Sequence, residues 1–163
     1  MSAQKTYSYN TGYGIAGGLV DLTEHVIDSR CNEADSLKFG FGVVDGTSKG
    51  SNVTLPVEAS TKANFEGIVV NGHTHEMDRN GDVTILKGET VGVLKQGRIY
   101  ARVKEGITVA YGDALYLIVK GDNAGLFTNA AETGAIKLNG FFVGTKATGN
   151  IAPVQVYVDK IDG

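Results

Sequence analysis

The stretch that decides the fold class is residues 91–119, VGVLKQGRIYARVKEGITVAYGDALYLIV. Apolar and polar side chains alternate over residues 98–103, which predicts a strand with one buried face. Residues 114–119 are continuously apolar and predict a strand buried on both faces. Glycines mark two expected turns, a hairpin at Gln96-Gly97 and a second turn at Tyr111-Gly112-Asp113, because glycine tolerates the positive φ of tight turns.

The rest of the chain repeats this pattern of short apolar stretches separated by glycine. No segment keeps a 3.6-residue apolar period over the dozen or so residues that a stable helix needs. The closing stretch alternates, with Val154, Val156 and Val158 on one side. We therefore predict an all-β fold, an antiparallel β-barrel or β-sandwich of short strands punctuated by glycine. The expected strands are residues 38–44, 53–57, 65–70, 83–86, 90–95, 98–103, 107–110, 114–119, 135–138, 141–145 and 152–158.

Composition indicates a folded protein of ordinary size. The chain has 163 residues, of which 42% are hydrophobic and 20% are charged. These values are typical of one globular unit, which we place at residues 21–163. The 23 glycines and only 2 prolines favour many tight turns between strands.

Residues 1–20, MSAQKTYSYNTGYGIAGGLV, differ from the rest of the chain. Tyr7, Tyr9 and Tyr13 are interspersed with four glycines, and the run follows neither a 2-residue nor a 3.6-residue apolar period. This pattern favours a flexible, extended N-terminal arm rather than a core element.

Charge and cysteine content restrict the class of function. The formal net charge is −3, so the chain lacks the basic surface that nucleic-acid binding requires. Residues 1–36 hold 5 acids against 2 bases, whereas residues 37–163 hold 13 of each. The single cysteine, Cys31, is expected to be a free, buried thiol. The start of the sequence resembles neither a signal peptide nor a membrane span, so we expect synthesis in the cytoplasm and no membrane partner.

Three local motifs resemble chemical sites. Gly12 to Gly17 matches G-x-G-x-x-G in letters only, because neither a strand before it nor a helix after it is predicted. His73 and His75 would share one face of a strand, but zinc needs further ligands. The segment DRNGD at residues 78–82 has its glycine one place too early for a calcium loop, and Asn80-Gly81 favours a tight turn. We expect no catalytic residue, metal or cofactor, and no enzyme activity.

The order of several short motifs resembles the phage structural cement proteins, small capsid proteins of tailed bacteriophages. The resemblance starts at Gly14 with GIAGGLVDLTEHVIDSRCNEADSLKFGFGVV. It continues through FEGIVV (65–70), VGVLKQGRIY (91–100), VAYGD (109–113), FVG (142–144) and VQV (154–156). The insertion HTHEMDRNGD, residues 73–82, has no counterpart in that pattern.

The resemblance implies a non-enzymatic decoration protein on the outer capsid surface of the virion. Its expected partners are the major capsid protein and further copies of itself, a homotrimer being favoured over a homodimer because three arms at a three-fold position would bind together. We expect capsid or subunit contacts at Tyr7, Tyr9, Tyr13, Ile15 and Leu19. The alternative is a glycan- or receptor-binding β module of the phage particle, with Tyr100, Tyr111 or Tyr116 as binding aromatics.

Overall fold

The computed structural model describes residues 14–72, 83–146 and 149–158. Within these ranges the chain forms nine strands and two short 3₁₀ turns, Lys62–Asn64 and Gly121–Asn123. The strands are β1 (Val26–Asn32), β2 (Gly42–Asp45), β3 (Asn52–Thr54), β4 (Phe65–Val69), β5 (Thr90–Arg102), β6 (Ala114–Ile118), β7 (Phe127–Thr128), β8 (Ala135–Phe142) and β9 (Ile151–Tyr157). The prediction of an all-β barrel is confirmed.

Two rings of strands share β5. The first five strands close in the order β1-β3-β2-β4-β5, because β5 pairs with β1 as well as with β4. From β5 the sheet continues through β9, β8 and β6 to β7. A parallel bridge between Val103 and Phe127 then returns β7 to the end of β5. We call these the N-terminal barrel (β1–β5) and the C-terminal barrel (β5–β9).

Each barrel has its own apolar cluster, and β5 contributes to both. Val91 and Val93 belong to the cluster of the N-terminal barrel, which also contains Leu37 and Val43. Farther along the strand, Ile99 and Ala101 belong to the cluster of the C-terminal barrel. That cluster also contains the apolar strand β6, in which Leu115 and Leu117 are fully buried.

The predicted hairpin at Gln96-Gly97 is wrong, because β5 runs straight through both residues. Gly97 has φ +133°, and a Cβ there would lie 2.8 Å from the Cβ of His25. The glycine therefore permits a close crossing of the chain rather than a turn. The strand also changes partner here, from β1 on residues 90–96 to β9 on residues 96–102. The turn predicted before β6 is present, with Gly112 at φ +89°.

The alternation expected for β5 and β9 is confirmed. Ile99, Ala101 and Val103 are buried, and the polar residues between them are half-buried. In β9, Val154 and Val156 are buried and Tyr157 is 48% exposed. Cys31 is a free cysteine as predicted, but it is only half-buried, because it lies where β1 leaves β5 and meets β3.

Candidate interaction surface

The first described residues, 14–20, lie along the second half of β5, and we call them the N-terminal strap. The backbone N–H of Gly17 donates to the carbonyl of Tyr100 at 2.8 Å, and the N–H of Tyr100 donates to Gly18 at 2.9 Å. Val20 N–H donates to the carbonyl of Arg98 at 3.1 Å. After a turn closed by the Gly18 N–H donating to the Ile15 carbonyl at 2.9 Å, the strap runs antiparallel to β5, and its Leu19 forms a bridge with Ile99.

Two glycines let the strap approach β5 and its neighbours closely. A Cβ at Gly14 would overlap the ring of Tyr100, so the backbone rests directly on that ring. Gly17 has φ +76°, and a Cβ there would lie 2.9 Å from both Phe39 Cβ and the carbonyl oxygen of Val69. Larger residues at either position would force the strap away from β5.

After the strap, residues 21–25 cross β5 at Gly97 and lead into β1. Asp21 anchors this crossing, because its carboxylate pairs with the Arg98 guanidinium at 3.1 Å and accepts a hydrogen bond from the Thr23 N–H. The hydrogen bonds from Thr23, first the hydroxyl and then the N–H, lower the pKa of Asp21 and keep it ionised, with a smaller contribution from Arg98. Arg98 also donates to Gln155 on β9 at 3.2 Å, which ties the crossing to the C-terminal barrel.

Exposed apolar side chains concentrate along this N-terminal path. Val26 and Tyr157 both pair with Gln96, so the exposed ends of β1 and β9 meet beside the crossing. Exposed apolar groups that lie near one another, as Val26 and Tyr157 do on either side of Gln96, mark interaction sites more often than isolated ones do. We define the N-terminal surface as Ile15, Leu22, Val26, Ile27 and Tyr157, which are 53%, 94%, 44%, 39% and 48% exposed.

Only two of the five predicted contact residues lie in the described part of the chain. Ile15 is exposed and belongs to the N-terminal surface. Leu19 is half-buried and packs against the core of the C-terminal barrel, so it anchors the strap. Tyr7, Tyr9 and Tyr13 lie outside the described residues. Sequence reasoning missed Leu22, because a lone leucine between polar residues carries no signal of exposure.

An open polar cleft lies elsewhere, lined by Glu33, Asp45, Gly46, Thr47, Thr54 and Lys87. Here Glu33 accepts hydrogen bonds from the Thr47 N–H at 2.8 Å and from the Asn52 amide at 2.5 Å. These bonds, the one from Asn52 foremost, lower the pKa of Glu33. Its oxygens are engaged in holding the loop between β2 and β3, which indicates a structural role.

A partly buried ion cluster lies in the N-terminal barrel. Glu66 is 5% exposed and accepts from Lys95 Nζ at 2.7 Å, and Arg30 Nε lies 3.7 Å from the same carboxylate oxygen. Asp28 approaches both cations, at 3.0 Å from Arg30 and 3.7 Å from Lys95. Two carboxylates facing two cations balance in charge, as partly buried ions must. The cluster links β1, β4 and β5.

The structure does not describe the motifs considered for metals. His73, His75 and the segment at residues 78–82 lie outside the described residues. In the part of the chain that is described, no group of three or more His, Cys, Asp or Glu side chains could hold a metal ion. None of its helical segments is long and apolar enough to cross a membrane.

Comparison with known proteins defines the class. The model of the family described as structural cement protein (E217 gp24/Pam3 gp6) matches residues 3–157. The chain therefore belongs to the phage structural cement protein family, a class of all-β structural proteins of the capsid. No curated protein matches the sequence.

A solved structure shares the fold. A chain from the structure titled "The capsid of Myoviridae Phage XM1" superposes with a TM-score of 0.73. The alignment covers 96% of this chain and 98% of that chain, at 17% sequence identity. At this identity the likeness concerns the fold, which extends over nearly the whole length of both chains.

Proposed function

We propose that this protein binds the outer surface of the major capsid lattice and stabilises the shell by bridging neighbouring capsomers. Membership of the cement family is the observation that carries the proposal. A protein that binds only the assembled shell shifts the equilibrium towards that shell by mass action. Many copies can then stabilise a particle even though each contact is modest.

The N-terminal surface and the residues before Gly14 supply the contacts in this proposal. Ile15 presents an apolar side chain next to the point where the chain enters the strap, and Leu22 presents one just after the chain leaves it. Tyr7, Tyr9 and Tyr13 precede that point in the sequence and provide aromatic groups of the kind enriched at protein interfaces. The strap is anchored by Leu19 and fixes the position of the chain that directly follows these tyrosines. This reduces the conformational entropy that the chain loses on binding.

The same arrangement supports a symmetric oligomer. Three copies at a three-fold or quasi-three-fold position would present three N-terminal segments, and their binding would be coupled through effective concentration. A dimer on two-fold positions is the alternative, and the mass of the protein in solution distinguishes the two.

Truncation tests the proposed contacts. Because residues 14–20 are hydrogen bonded to β5, the informative deletion is residues 2–13, which spares the strap. This deletion should leave the melting temperature unchanged and strongly reduce co-sedimentation with capsids that lack the protein. The matched control is a deletion of residues 2–20, which also removes Leu19 and should lower the melting temperature. Full occupancy by the 2–13 deletion would contradict the proposed role of these residues.

Tyr111 is the observation that favours the glycan-binding alternative. Its side chain is 74% exposed and packs edge-on against Phe141 at 5.9 Å, whereas Tyr116 is half-buried and the strap covers Tyr100. A glycan array decides: binding that is lost in Tyr111→Ala would support the alternative. Clear capsid binding without any array hit would exclude it.

A further inference from the structure

The turn that leads into β6, residues 110–113, carries the inference, and we call it the aromatic turn. Its Tyr111 is 74% exposed, more than any other aromatic side chain in the described part of the chain. The ring packs edge-on against Phe141 of β8, with the ring centroids 5.9 Å apart and the ring planes at 78°. Tyrosine is one of the residue types that dominate binding at protein interfaces.

Hydrogen bonds hold the aromatic turn on the C-terminal barrel. Gly112 N–H donates to the Phe142 carbonyl at 2.8 Å, and Phe142 N–H donates to the Asp113 carbonyl at 2.9 Å. The Asp113 carboxylate accepts from the Asn129 amide at 2.8 Å and from the Ala110 N–H at 2.9 Å. These two bonds, the one from Asn129 foremost, lower the pKa of Asp113 and keep it ionised. A turn that is already ordered loses little entropy when it binds a partner.

The shape and the polar groups of the aromatic turn favour a protein over a glycan as its partner. Tyr111 projects from a turn, whereas sites for small ligands are concave and orient the ligand with free polar groups. Here the Asn129 side-chain amide already donates to Asp113 Oδ2 at 2.8 Å and to the Thr108 carbonyl at 2.9 Å. A projecting ring backed by a second aromatic side chain fits an apolar pocket in a partner protein.

The aromatic turn and the N-terminal surface lie on one outer face of the C-terminal barrel. Phe141 pairs with Gln155 of β9, and Gln155 pairs with Arg98 of β5. Residues paired directly across strands place their side chains on the same face. Arg98 in turn binds Asp21, which precedes Leu22. Two strand spacings, about 10 Å, thus separate Phe141 from Arg98, so this face has two distinct points for apolar contact.

We propose that Tyr111 makes a second contact with the shell, by inserting into an apolar pocket of the major capsid protein apart from the contacts of the N-terminal surface. The inference rests on the proposed function, because a protein that bridges two capsomers must touch the shell at two places. It names the side chain of the second contact, which the proposed function leaves open.

Substitution of the ring tests this contact. Tyr111→Ala should weaken binding to capsids that lack the protein by about tenfold or more, as truncation of an aromatic anchor does. Tyr111→Phe keeps the ring and should bind as the unmodified protein does. The matched control is Leu86→Ala, because Leu86 is 61% exposed and lies outside both surfaces, and its binding should be unchanged. Full affinity of Tyr111→Ala would overturn the inference, and equal losses in Tyr111→Phe and Tyr111→Ala would contradict an apolar pocket.

A double variant shows whether the two contacts are separate. Leu22→Ala removes an exposed side chain of the N-terminal surface, and contacts that do not share a partner group contribute independently to the free energy of binding. The losses of capsid affinity in Leu22→Ala and Tyr111→Ala should therefore multiply when the two substitutions are combined. A double variant that binds no more weakly than Tyr111→Ala would contradict two separate contacts.

Cross-linking identifies the partner. In a Cys31→Ser background, Ala110→Cys places an exposed thiol beside the ring and leaves Tyr111 intact. A benzophenone maleimide attached to this thiol should give a photoproduct with the major capsid protein on the particle. The control is Asp122→Cys, exposed beyond the far end of β6, which should give much less of this product. Equal yields from the two positions would contradict a contact at the aromatic turn.

The remaining outcomes separate the inference from the proposed function. Photoproducts with a second copy alone would assign the aromatic turn to a contact between copies and overturn the inference. Glycan-array binding that is lost in Tyr111→Ala, with full capsid affinity of that variant, would assign the ring to a glycan and overturn it too. Both results leave capsid binding of the unmodified protein intact. Failure of the unmodified protein to bind capsids would instead contradict the proposed function.

Discussion

At the scale of single residues, glycines set how closely the strands approach one another. Gly67 in β4 has φ +143°, and a Cβ there would overlap the carbonyl oxygen of Leu94 on β5. Gly88 also has a positive φ, +90°, but no atom lies within 4 Å of its Cβ position. The two positions therefore separate backbone strain from steric overlap.

We expect Gly67→Ala to destabilise the protein by about 3 kcal/mol or more, because it adds overlap to the cost of an unfavourable φ. Gly88→Ala should cost only about 1 kcal/mol, from the backbone conformation alone. Denaturant unfolding of both variants measures the difference. Equal losses would show that β4 can move away from β5 at little cost.

Burial of β6 gives a second prediction at this scale. Leu117 is fully buried in the C-terminal cluster, so Leu117→Asp places an unpaired carboxylate in the core, at a cost of several kcal/mol. This is a large part of a typical stability of about 5–15 kcal/mol, and we expect the variant not to fold. Leu22→Asp is the control, since Leu22 is 94% exposed, and circular dichroism should show native β structure. A soluble Leu117→Asp protein with an unchanged melting temperature would contradict the placement of β6.

At the scale of elements, Glu33 connects the end of β1 with the loop between β2 and β3. Its carboxylate accepts hydrogen bonds from Asn52 and Thr47 that are stronger when it is ionised, which is why its pKa is lowered in the folded state. A depressed folded-state pKa contributes stability that is present above the unfolded-state value and is lost as the pH falls through the folded-state value.

We therefore expect the melting temperature of the unmodified protein to fall more steeply than that of Glu33→Gln as the pH is lowered below the ordinary glutamate pKa of 4.5. The difference between the two proteins should be largest near neutral pH and should shrink in acid. Thermal melts at a series of pH values measure it, with Glu105→Gln as an exposed control. Parallel pH profiles for the two proteins would exclude the anchoring role of Glu33.

The sequence was sufficient for elements defined by alternation, and insufficient where two elements meet. Buried and half-buried residues alternate in β9 and in the second half of β5 as predicted. The alternation is visible in the sequence because successive residues of a half-buried strand face the core and the solvent in turn. The hairpin prediction at Gly97 is wrong, because a glycine that permits His25 to cross looks the same in sequence as a glycine in a hairpin.

The candidate surface was predicted less completely than the fold. Ile15, a predicted contact residue of the N-terminal segment, is exposed. The anchoring of Leu19 depends on Ile99, which is eighty positions away in the sequence, and no local pattern reports such a pairing.

At the scale of the whole molecule, β5 joins the two barrels and also receives the strap. Its residues 90–96 pair with β1, residues 96–102 pair with β9, and residues 98–100 bind the strap. A force on the N-terminal segment would therefore act on β5, the strand that contributes to both apolar clusters. This connection suits a protein whose N-terminal contacts would carry load between capsomers.

The most direct test of the central claim is the temperature at which capsids lacking this protein come apart, measured with and without added purified protein. The account predicts that saturating protein raises this temperature, without added metal or nucleotide, and that the deletion of residues 2–13 gives much less protection. Particles that come apart at the same temperature with and without bound protein would contradict the claim that it stabilises the shell.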